Sequence, residues 1–185
     1  MQQKTKKNIL IVLAALAGLL LLAAGAWFLF FIAQFSIYQD VPNVFTVKYP
    51  NRWEKQINPQ PGVAVIFLSP QETALDTFRE NVNISIDDVP AHLATLQNFS
   101  NKIIEQMTKV FKNVQVTESR SIDFGGRHGY RVEFTAEKPD AMKILTVWTI
   151  KGGRKAYILT YIAMGKRYQT YLPLIETMIQ SFVLK

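Results

Sequence analysis

The first part of the chain is uniformly apolar. Residues 9–33 contain no charged side chain, and residues 1–8 carry Lys4, Lys6 and Lys7 with no acidic residue. A helix over residues 9–33 would be about 37 Å long, enough to cross a hydrocarbon core of ~30 Å with some tilt. The pattern predicts an uncleaved transmembrane signal anchor at 9–33. Because the lysines precede it, we expect a basic cytoplasmic tail at 1–8 and the rest of the chain on the outer side of the membrane.

A cleaved signal peptide is the alternative interpretation of this segment. Ala24-Gly25-Ala26 offers the pattern of small residues that signal peptidase recognises, so cleavage would follow Ala26. The apolar run continues beyond Ala26, however, and is longer than the roughly 7–15 residues of a signal-peptide core. The length therefore favours a retained anchor.

The pattern becomes strand-like after the anchor. Residues 34–43 are predicted to form a short linker, and strands are predicted at 44–49, 63–68, 81–87, 114–124, 130–136, 142–151 and 155–164. The last two strands are apolar on both faces, so the sheet that contains them must be covered on both sides. Gly152 and Gly153 lie between these two strands and predict that they pair as an antiparallel hairpin.

Two segments show helical spacing. Apolar side chains recur every three or four positions within residues 92–111 and again within 165–182. Thr95, Asn98 and Ser100 are the candidate N-caps of the first helix, and Pro173 predicts a first turn or a kink in the second. Two helices and a sheet covered on both faces predict an α+β fold. The expected architecture is an α/β/α sandwich with a mostly antiparallel central sheet over residues 44–185, preceded by one N-terminal transmembrane helix.

Composition excludes several kinds of chemistry. The 185 residues include no cysteine, which rules out disulfides, thiolate metal sites and cysteine nucleophiles. The formal net charge of +7 includes the three lysines of the tail. In the rest of the chain basic and acidic residues alternate, which is typical of an ordinary solvated surface, so nucleic-acid binding is not predicted.

One segment invites a chemical interpretation, because its glycines adjoin a histidine. It reads Asp-Phe-Gly-Gly-Arg-His-Gly-Tyr over residues 123–130. A phosphate-binding loop would require a helix directly afterwards, and here the alternating pattern of a strand follows. We therefore predict that residues 125–129 connect two strands of a hairpin, with glycines supplying the positive φ angles.

Candidate catalytic and metal-binding residues are few. His92 and His128 are the two histidines, and no Gly-x-Ser-x-Gly motif presents a serine, so no catalytic residue and no enzymatic activity are predicted. Asp87, Asp88 and His92 are close in sequence and could bind zinc or manganese. Structural zinc sites usually assemble four close ligands. The favoured interpretation is that the aspartates end a strand and cap the following segment, so no metal or cofactor site is predicted.

Several short motifs together resemble the PsbP-like family, which includes the extrinsic PsbP subunit of photosystem II and many bacterial relatives. They are Phe-Thr-Val-Lys-Tyr-Pro-Asn-Arg-Trp at 45–53, Phe-Leu-Ser-Pro at 67–70, Glu-Asn-Val-Asn-Ile-Ser-Ile at 80–86, Gly-Arg-His-Gly-Tyr at 126–130 and a last helix that closes in Ser181-Phe182. The resemblance implies an α/β/α sandwich held outside a membrane that acts by docking and not by turnover. It supplies no catalytic residue.

The expected function follows from the anchor and the resemblance together. We expect a module that is attached to the membrane by residues 9–33 and docks on a membrane protein complex, which it stabilises or helps to assemble. In a photosynthetic organism this would be photosystem II, with the domain on the lumenal side of the thylakoid. Otherwise the domain would lie in the periplasm or outside the plasma membrane. The alternative is a periplasmic small-ligand-binding or hydrolytic domain, with a pocket between sheet and helix lined by Trp148, Tyr157, Tyr161, Tyr168 and Tyr171. Aromatic side chains at such spacing more often belong to the core.

Overall fold

The computed structural model describes residues 16–22, 34–71, 73, 78–93, 95–137 and 141–185. The chain divides into two compact units, Met1–Ser36 and Ile37–Lys185. In the first unit, residues 16–22 are helical and their leucine side chains are exposed. The remainder of the predicted anchor and the predicted tail at 1–8 lie outside the described residues. No helix in the described part of the chain is long and apolar enough to cross a membrane.

The described residues beyond the first unit form two antiparallel sheets and two α-helices. The strands are β1 (Phe35–Asp40), β2 (Phe45–Pro50), β3 (Glu54–Gln60), β4 (Val63–Leu68), β5 (Asn81–Asp88), β6 (Lys112–Phe124), β7 (Arg127–Glu137), β8 (Ala141–Lys151), β9 (Lys155–Met164) and β10 (Val183–Leu184), and the helices are α1 (Leu96–Val110) and α2 (Gly165–Ser181). The small sheet has the order β1-β2-β10, and the large sheet has the order β3-β4-β5-β9-β8-β7-β6.

Strands β8 and β9 lie at the centre of the large sheet and are buried on both faces. On one face Ile144, Trp148 and Ile158 pack beneath α1, which contributes Phe99 and Ile103. Leu145, Val147 and Leu159 lie in the core on the opposite face, together with Tyr168, Ile175 and Met178 of α2 and residues of the small sheet. The predicted α+β sandwich, covered on both sides of a mostly antiparallel sheet, is therefore confirmed.

The helix boundaries differ from those predicted. Helix α1 begins after Thr95, whose hydroxyl Oγ1 accepts a hydrogen bond from the backbone N of Asn98 at 3.2 Å. Thr95 is thus the N-cap among the three candidates. His92 lies before the helix, in a short 3₁₀ turn at Ala91–Leu93. Pro173 lies inside α2 and not in its first turn.

Three strands were not predicted from the sequence. Residues 34–43 were expected to form a linker, and that prediction is wrong because β1 occupies Phe35–Asp40 and pairs with β2. Strand β3 is exposed along its whole length at the edge of the large sheet, so its sequence has no alternating apolar pattern. Strand β10 has only two residues.

The glycine-rich segment is a hairpin, as predicted. Phe124 pairs with Arg127, so Gly125 and Gly126 alone form the turn. Their φ angles of 66° and 72° are those of a two-residue turn that suits the twist of a hairpin. The turn is shorter than predicted, because residues 127–129 already belong to β7. The predicted antiparallel pairing across Gly152 and Gly153 is also confirmed.

The third glycine of this segment, Gly129, is required because the surrounding atoms leave no room for a side chain, and this can be tested. A Cβ atom at Gly129 would lie 2.7 Å from the carbonyl oxygen of Trp148 and 2.9 Å from the Cβ of Phe124. We expect Gly129→Ala to lower the free energy of unfolding by about 1–3 kcal/mol, because backbone must move to admit the methyl group. Denaturant unfolding of the full-length chain in detergent measures the change.

Gly126→Asn is the matched control. Gly126 has a positive φ but no atom within 4 Å of an added Cβ, and asparagine tolerates the left-handed region. We expect this variant to unfold within about 0.5 kcal/mol of the parent chain. Equal stabilities of the two variants would contradict the proposed packing at Gly129.

Candidate functional site

The residues of the possible metal site are not brought together as a ligand set. Asp87 and Asp88 lie in β5. The Asp88 carboxylate forms an ion pair with the Lys155 ammonium group on β9, at a distance of 2.8 Å. His92 lies on the separate 3₁₀ turn. Neither aspartate caps α1, since Thr95 does so. Within the described residues, no group of three or more His, Asp or Glu side chains is arranged to hold a metal ion.

His128 lies at the beginning of β7 on an open surface. His128 is paired with Asp123 across the hairpin. Both residues, together with Ser121, line an open cavity of 410 Å³. The backbone carbonyl of His128 accepts a hydrogen bond from Thr149 Oγ1 at 2.7 Å. Among the described residues, no side-chain hydrogen bond or ion pair orients the imidazole as a general base, which nucleophilic catalysis requires.

The aromatic residues considered for a pocket are core residues. Trp148, Tyr161 and Tyr168 are at most 1% exposed. The rings of Tyr161 and Tyr168 stack with their centroids 5.2 Å apart, and the Tyr161 hydroxyl donates to the Tyr168 carbonyl at 3.2 Å. Burial raises the pKa of both hydroxyl groups well above the ordinary value. These rings fill the space between the sheet and α2 in which the sequence allowed a pocket.

A buried arginine lies within 4 Å of three carboxylates. The Arg131 side chain is only 6% exposed, and its guanidinium donates to the carboxylates of Glu133 at 2.5 Å and Glu176 at 2.7 Å. A carboxylate oxygen of Glu118 lies 3.8 Å from Arg131 Nε. We call these four residues the Arg131 cluster. They join β6, β7 and α2.

Electrostatics favours the charged forms in this cluster. Burial alone would lower the pKa of Arg131, but the hydrogen bonds and charges of Glu133 and Glu176 outweigh it and raise the pKa. The hydrogen bond from Arg120 holds the pKa of Glu118 below its ordinary value. Such a cluster holds elements together, because Arg131 is buried and depends on the carboxylates of Glu133 and Glu176 for its counter-charge.

Sequence reasoning missed the Arg131 cluster. Arg131 and Glu133 alternate with apolar residues along β7, which is the pattern of a solvated strand face. Helix α2 covers that face and adds Glu176. Two features of the sequence could have indicated the cluster. Arg131 and Glu133 are opposite charges on one face of a strand, and Glu176 lies next to the apolar stripe of the last helix.

An open groove of 530 Å³ lies at the end of the large sheet where β3, β5 and β9 approach the turn between β1 and β2. Its polar lining consists of Asn43, Asn58, Gln60 and Lys155. Asn58 has φ of 46°, and Val44, next to Asn43, has φ of 58°. The left-handed region is unfavourable for a β-branched residue, so surrounding contacts must hold Val44 in place.

A hydrogen-bond network provides those contacts. Asp40 is buried and accepts from the Tyr38 hydroxyl at 3.0 Å and from the backbone N of Asn43 at 2.8 Å. The Asn43 carbonyl accepts from the Tyr157 hydroxyl at 3.2 Å, and the Val44 carbonyl accepts from the backbone N of Lys185 at 2.9 Å. Burial, with a smaller contribution from Asp40, raises the pKa of Tyr38 to about 12.

The fold and its motifs can now be compared with known proteins. The profile of the PsbP family matches residues 33–184. The chain belongs to the PsbP family. The resemblance seen in the sequence is thereby confirmed, and the match begins early enough to include β1, which lies outside the predicted domain at 44–185. No curated protein matches this sequence significantly.

Solved structures share this PsbP fold at low sequence identity. The cyanobacterial PsbP (CyanoP) of Synechocystis sp. PCC 6803 is 21% identical with a TM-score of 0.63, and the alignment covers 83% of this chain and 94% of CyanoP. LpqN of Mycobacterium tuberculosis, described as involved in cell envelope biogenesis, is 11% identical with a TM-score of 0.58 and coverages of 82% and 91%. The Ran-binding protein Mog1p of Saccharomyces cerevisiae is 7% identical with a TM-score of 0.58 and coverages of 81% and 95%. Identities this low establish a shared fold and nothing more.

The Arg131 cluster predicts that alanine substitutions of two arginines on neighbouring strands lower the free energy of unfolding by very different amounts. Arg131→Ala leaves Glu133 and Glu176 without their buried counter-charge, so we expect the free energy of unfolding to fall by about 3 kcal/mol, at the lower end of the range for breaking a buried pair. Arg120 pairs with Glu118 but is 53% exposed, and Arg120→Ala should change stability by no more than about 1 kcal/mol. Denaturant unfolding of the two full-length variants makes the comparison, and similar losses would contradict a structural role for the cluster.

The Tyr38 network predicts a loss of stability at alkaline pH. A folded-state pKa of about 12, above the ordinary value of 10.0, means that the folded chain holds the proton more tightly. This contribution to stability is complete below about pH 10 and is lost as the pH rises to about 12, and two pH units correspond to roughly 2–3 kcal/mol.

Tyr38→Phe removes the titrating hydroxyl. The loss of stability that Tyr38 causes between about pH 10 and pH 12 should therefore disappear in this variant. Unfolding measured from pH 9 to pH 12 compares it with Tyr130→Phe, which keeps the Tyr38 network. Identical pH profiles for the two variants would show that Tyr38 does not titrate as expected.

Proposed function

We propose that this PsbP-family chain is a membrane-tethered extracytoplasmic module that docks on a membrane protein complex and stabilises it or helps to assemble it. The observation that carries the proposal is the PsbP family match over residues 33–184, which begins where the predicted anchor ends. In a photosynthetic organism the partner is photosystem II and the domain lies on the lumenal side of the thylakoid. In other bacteria the domain lies in the periplasm or outside the plasma membrane.

The packing of the domain supports a docking function. The central strands β8 and β9 are buried on both faces, and the largest side chains of the interior are at most 2% exposed. A binding function therefore has to use the surface. Arg131 is buried and pairs with Glu133 and with Glu176 of α2, so these charges serve the packing of the domain.

The sequence supports attachment through residues 9–33. This run carries no charge and is preceded by three lysines, so the positive-inside rule keeps residues 1–8 cytoplasmic and directs the domain outward. Retention of the anchor means that the mature chain still contains residues 1–26. A mature chain that begins at Trp27 would instead establish cleavage after Ala26.

Binding of a small ligand is the second candidate function. The observation that favours it is the open groove with Asn58 and Gln60 in its lining and Lys155 at its margin. The groove lies at one end of the large sheet, whereas the sequence suggested a pocket between sheet and helix. Amide side chains suit a neutral polar ligand, since each supplies one acceptor and two donors.

Cross-linking in native membranes tests the docking proposal. The full-length chain, tagged at its C-terminus and produced at its natural level, is cross-linked through its exposed lysines and purified in detergent. We expect the recovery of one membrane protein complex, because a docking module holds its partner at a defined surface. Mass spectrometry of the linked peptides identifies both the partner and the face that contacts it.

Two control chains separate the domain from the anchor. Replacing residues 9–33 with an unrelated membrane-spanning helix should preserve capture of the same complex. Replacing residues 34–185 with an unrelated folded domain on the original anchor should abolish it. Capture that follows the anchor, or no capture by the full-length chain, would contradict docking through the domain and would favour the second candidate function.

A further inference from the structure

The small sheet has an outward face that its own core does not use. Burial alternates along β1 and β2, with Tyr38, Phe45 and Val47 inside. The outward positions are therefore Ile37, Gln39, Thr46 and Lys48, and Val183 of β10 joins them because it pairs directly with Thr46. We call these five residues the small-sheet face.

This face and the adjoining turn are apolar with a positive margin. Ile37 is 69% exposed and Val183 is 48% exposed, and the turn between β1 and β2 adds Val41 at 74% and Val44 at 41%. The acidic residue within β1, β2 and β10 is Asp40, which is buried in the Tyr38 network. Lys48 is exposed on the same strands. Exposed apolar residues beside a lysine, on strands that carry no exposed carboxylate, are suited to the interface of an anionic bilayer.

The length of chain before β1 determines what can cover this face. Ile37 is four positions after residue 33, where the predicted anchor ends, and an extended chain spans at most about 3.6 Å per residue. The Cα atom of Ile37 is then within about 14 Å of the end of the anchor. Because β1 already begins at Phe35, there is no free linker that could carry the small-sheet face away from the bilayer.

We propose that the small-sheet face, together with Val41 and Val44, rests in the headgroup region of the bilayer that holds the anchor. The lipid-facing side chains would be the exposed Ile37 and Val41, and Lys48 would approach anionic headgroups. This inference rests on the proposed membrane attachment. It adds that the domain is held at the membrane by its own surface as well as by its anchor, which leaves other surfaces, such as α1 and the edge strand β6, for a protein partner.

The absence of cysteine makes the inference directly testable, because a single introduced cysteine can be labelled cleanly. The test variants are Ile37→Cys and Val41→Cys. The controls are Val110→Cys and Val116→Cys, which are 55% and 45% exposed at the end of α1 and in β6. Each full-length chain is labelled with an environment-sensitive fluorophore and reconstituted into protein-free vesicles of zwitterionic lipid, with or without anionic lipid. Some vesicles carry a quencher attached to the lipid headgroup.

We expect the headgroup quencher to act severalfold more strongly at Ile37→Cys and Val41→Cys than at the two controls. Anionic lipid should increase the difference, and adding Lys48→Gln to the Ile37→Cys chain should reduce that increase. Co-flotation with the vesicles is measured on the same samples. A chain that floats with the vesicles but is quenched equally at all four positions, or at none, overturns the lipid contact and leaves the anchor intact.

Two other outcomes would also overturn the proposal. A chain that fails to float with the vesicles contradicts the anchor itself, and with it the membrane contact that depends on it. The final comparison uses a water-soluble thiol reagent on Ile37→Cys and Val41→Cys in native membranes and in vesicles. Protection in native membranes alone would show that a protein, and not lipid, covers the small-sheet face.

Discussion

The structure depends on one constraint, which is that the hairpin of β8 and β9 is apolar on both faces. Such a hairpin can be stable in water only if separate layers cover both sides of the sheet. Helix α1 supplies one layer through Phe99 and Ile103. Helix α2 and the small sheet together supply the other. They meet at Phe182, the residue after α2, whose ring lies 5.3 Å from that of Phe45 in β2 and stacks at 4.4 Å on Phe124 at the end of β6. Phe182, near the C-terminus, and residues of β1 and β2 are thereby packed into the same core.

Covering both faces leaves little of the interior for chemistry. Side chains that might have lined a pocket, such as Tyr161 and Tyr168, are used to fill the space between sheet and helix. One polar exception is the Arg131 cluster, where charge neutralisation replaces apolar packing at the margin of the same layer, and another is the buried Asp40 of the Tyr38 network. The open cavities of the described structure lie at the ends of the sheet, near turns.

Elements with a buried face could be predicted from the sequence, and elements without one could not. Val63–Leu68 and Lys155–Met164 have the predicted boundaries because burial selects their side chains. Strand β3 was not predicted because it lies at an exposed edge, where hydrogen bonds to β4 hold it without buried side chains, and because it contains Pro59. Strand β1 escaped because its burial depends on only a few side chains, chiefly Tyr38 between Phe45 and Phe67, both 5.9 Å away. The Arg131 cluster was hidden for a related reason: the sequence shows the polar face of β7 but not the helix that covers it.

The low identity to relatives of the same fold limits what the fold can say about function. At 21% identity to CyanoP and 7% to Mog1p, the common property is the fold, and a fold does not determine a function. Functional inference must therefore come from features of this chain. The most informative is that β1 replaces the expected linker, because the small sheet then begins within two residues of the predicted anchor. A flexible linker would let the domain search for partners at a distance. Under the proposed attachment, a strand at that position would restrict the domain to partners that lie in, or directly on, the same membrane.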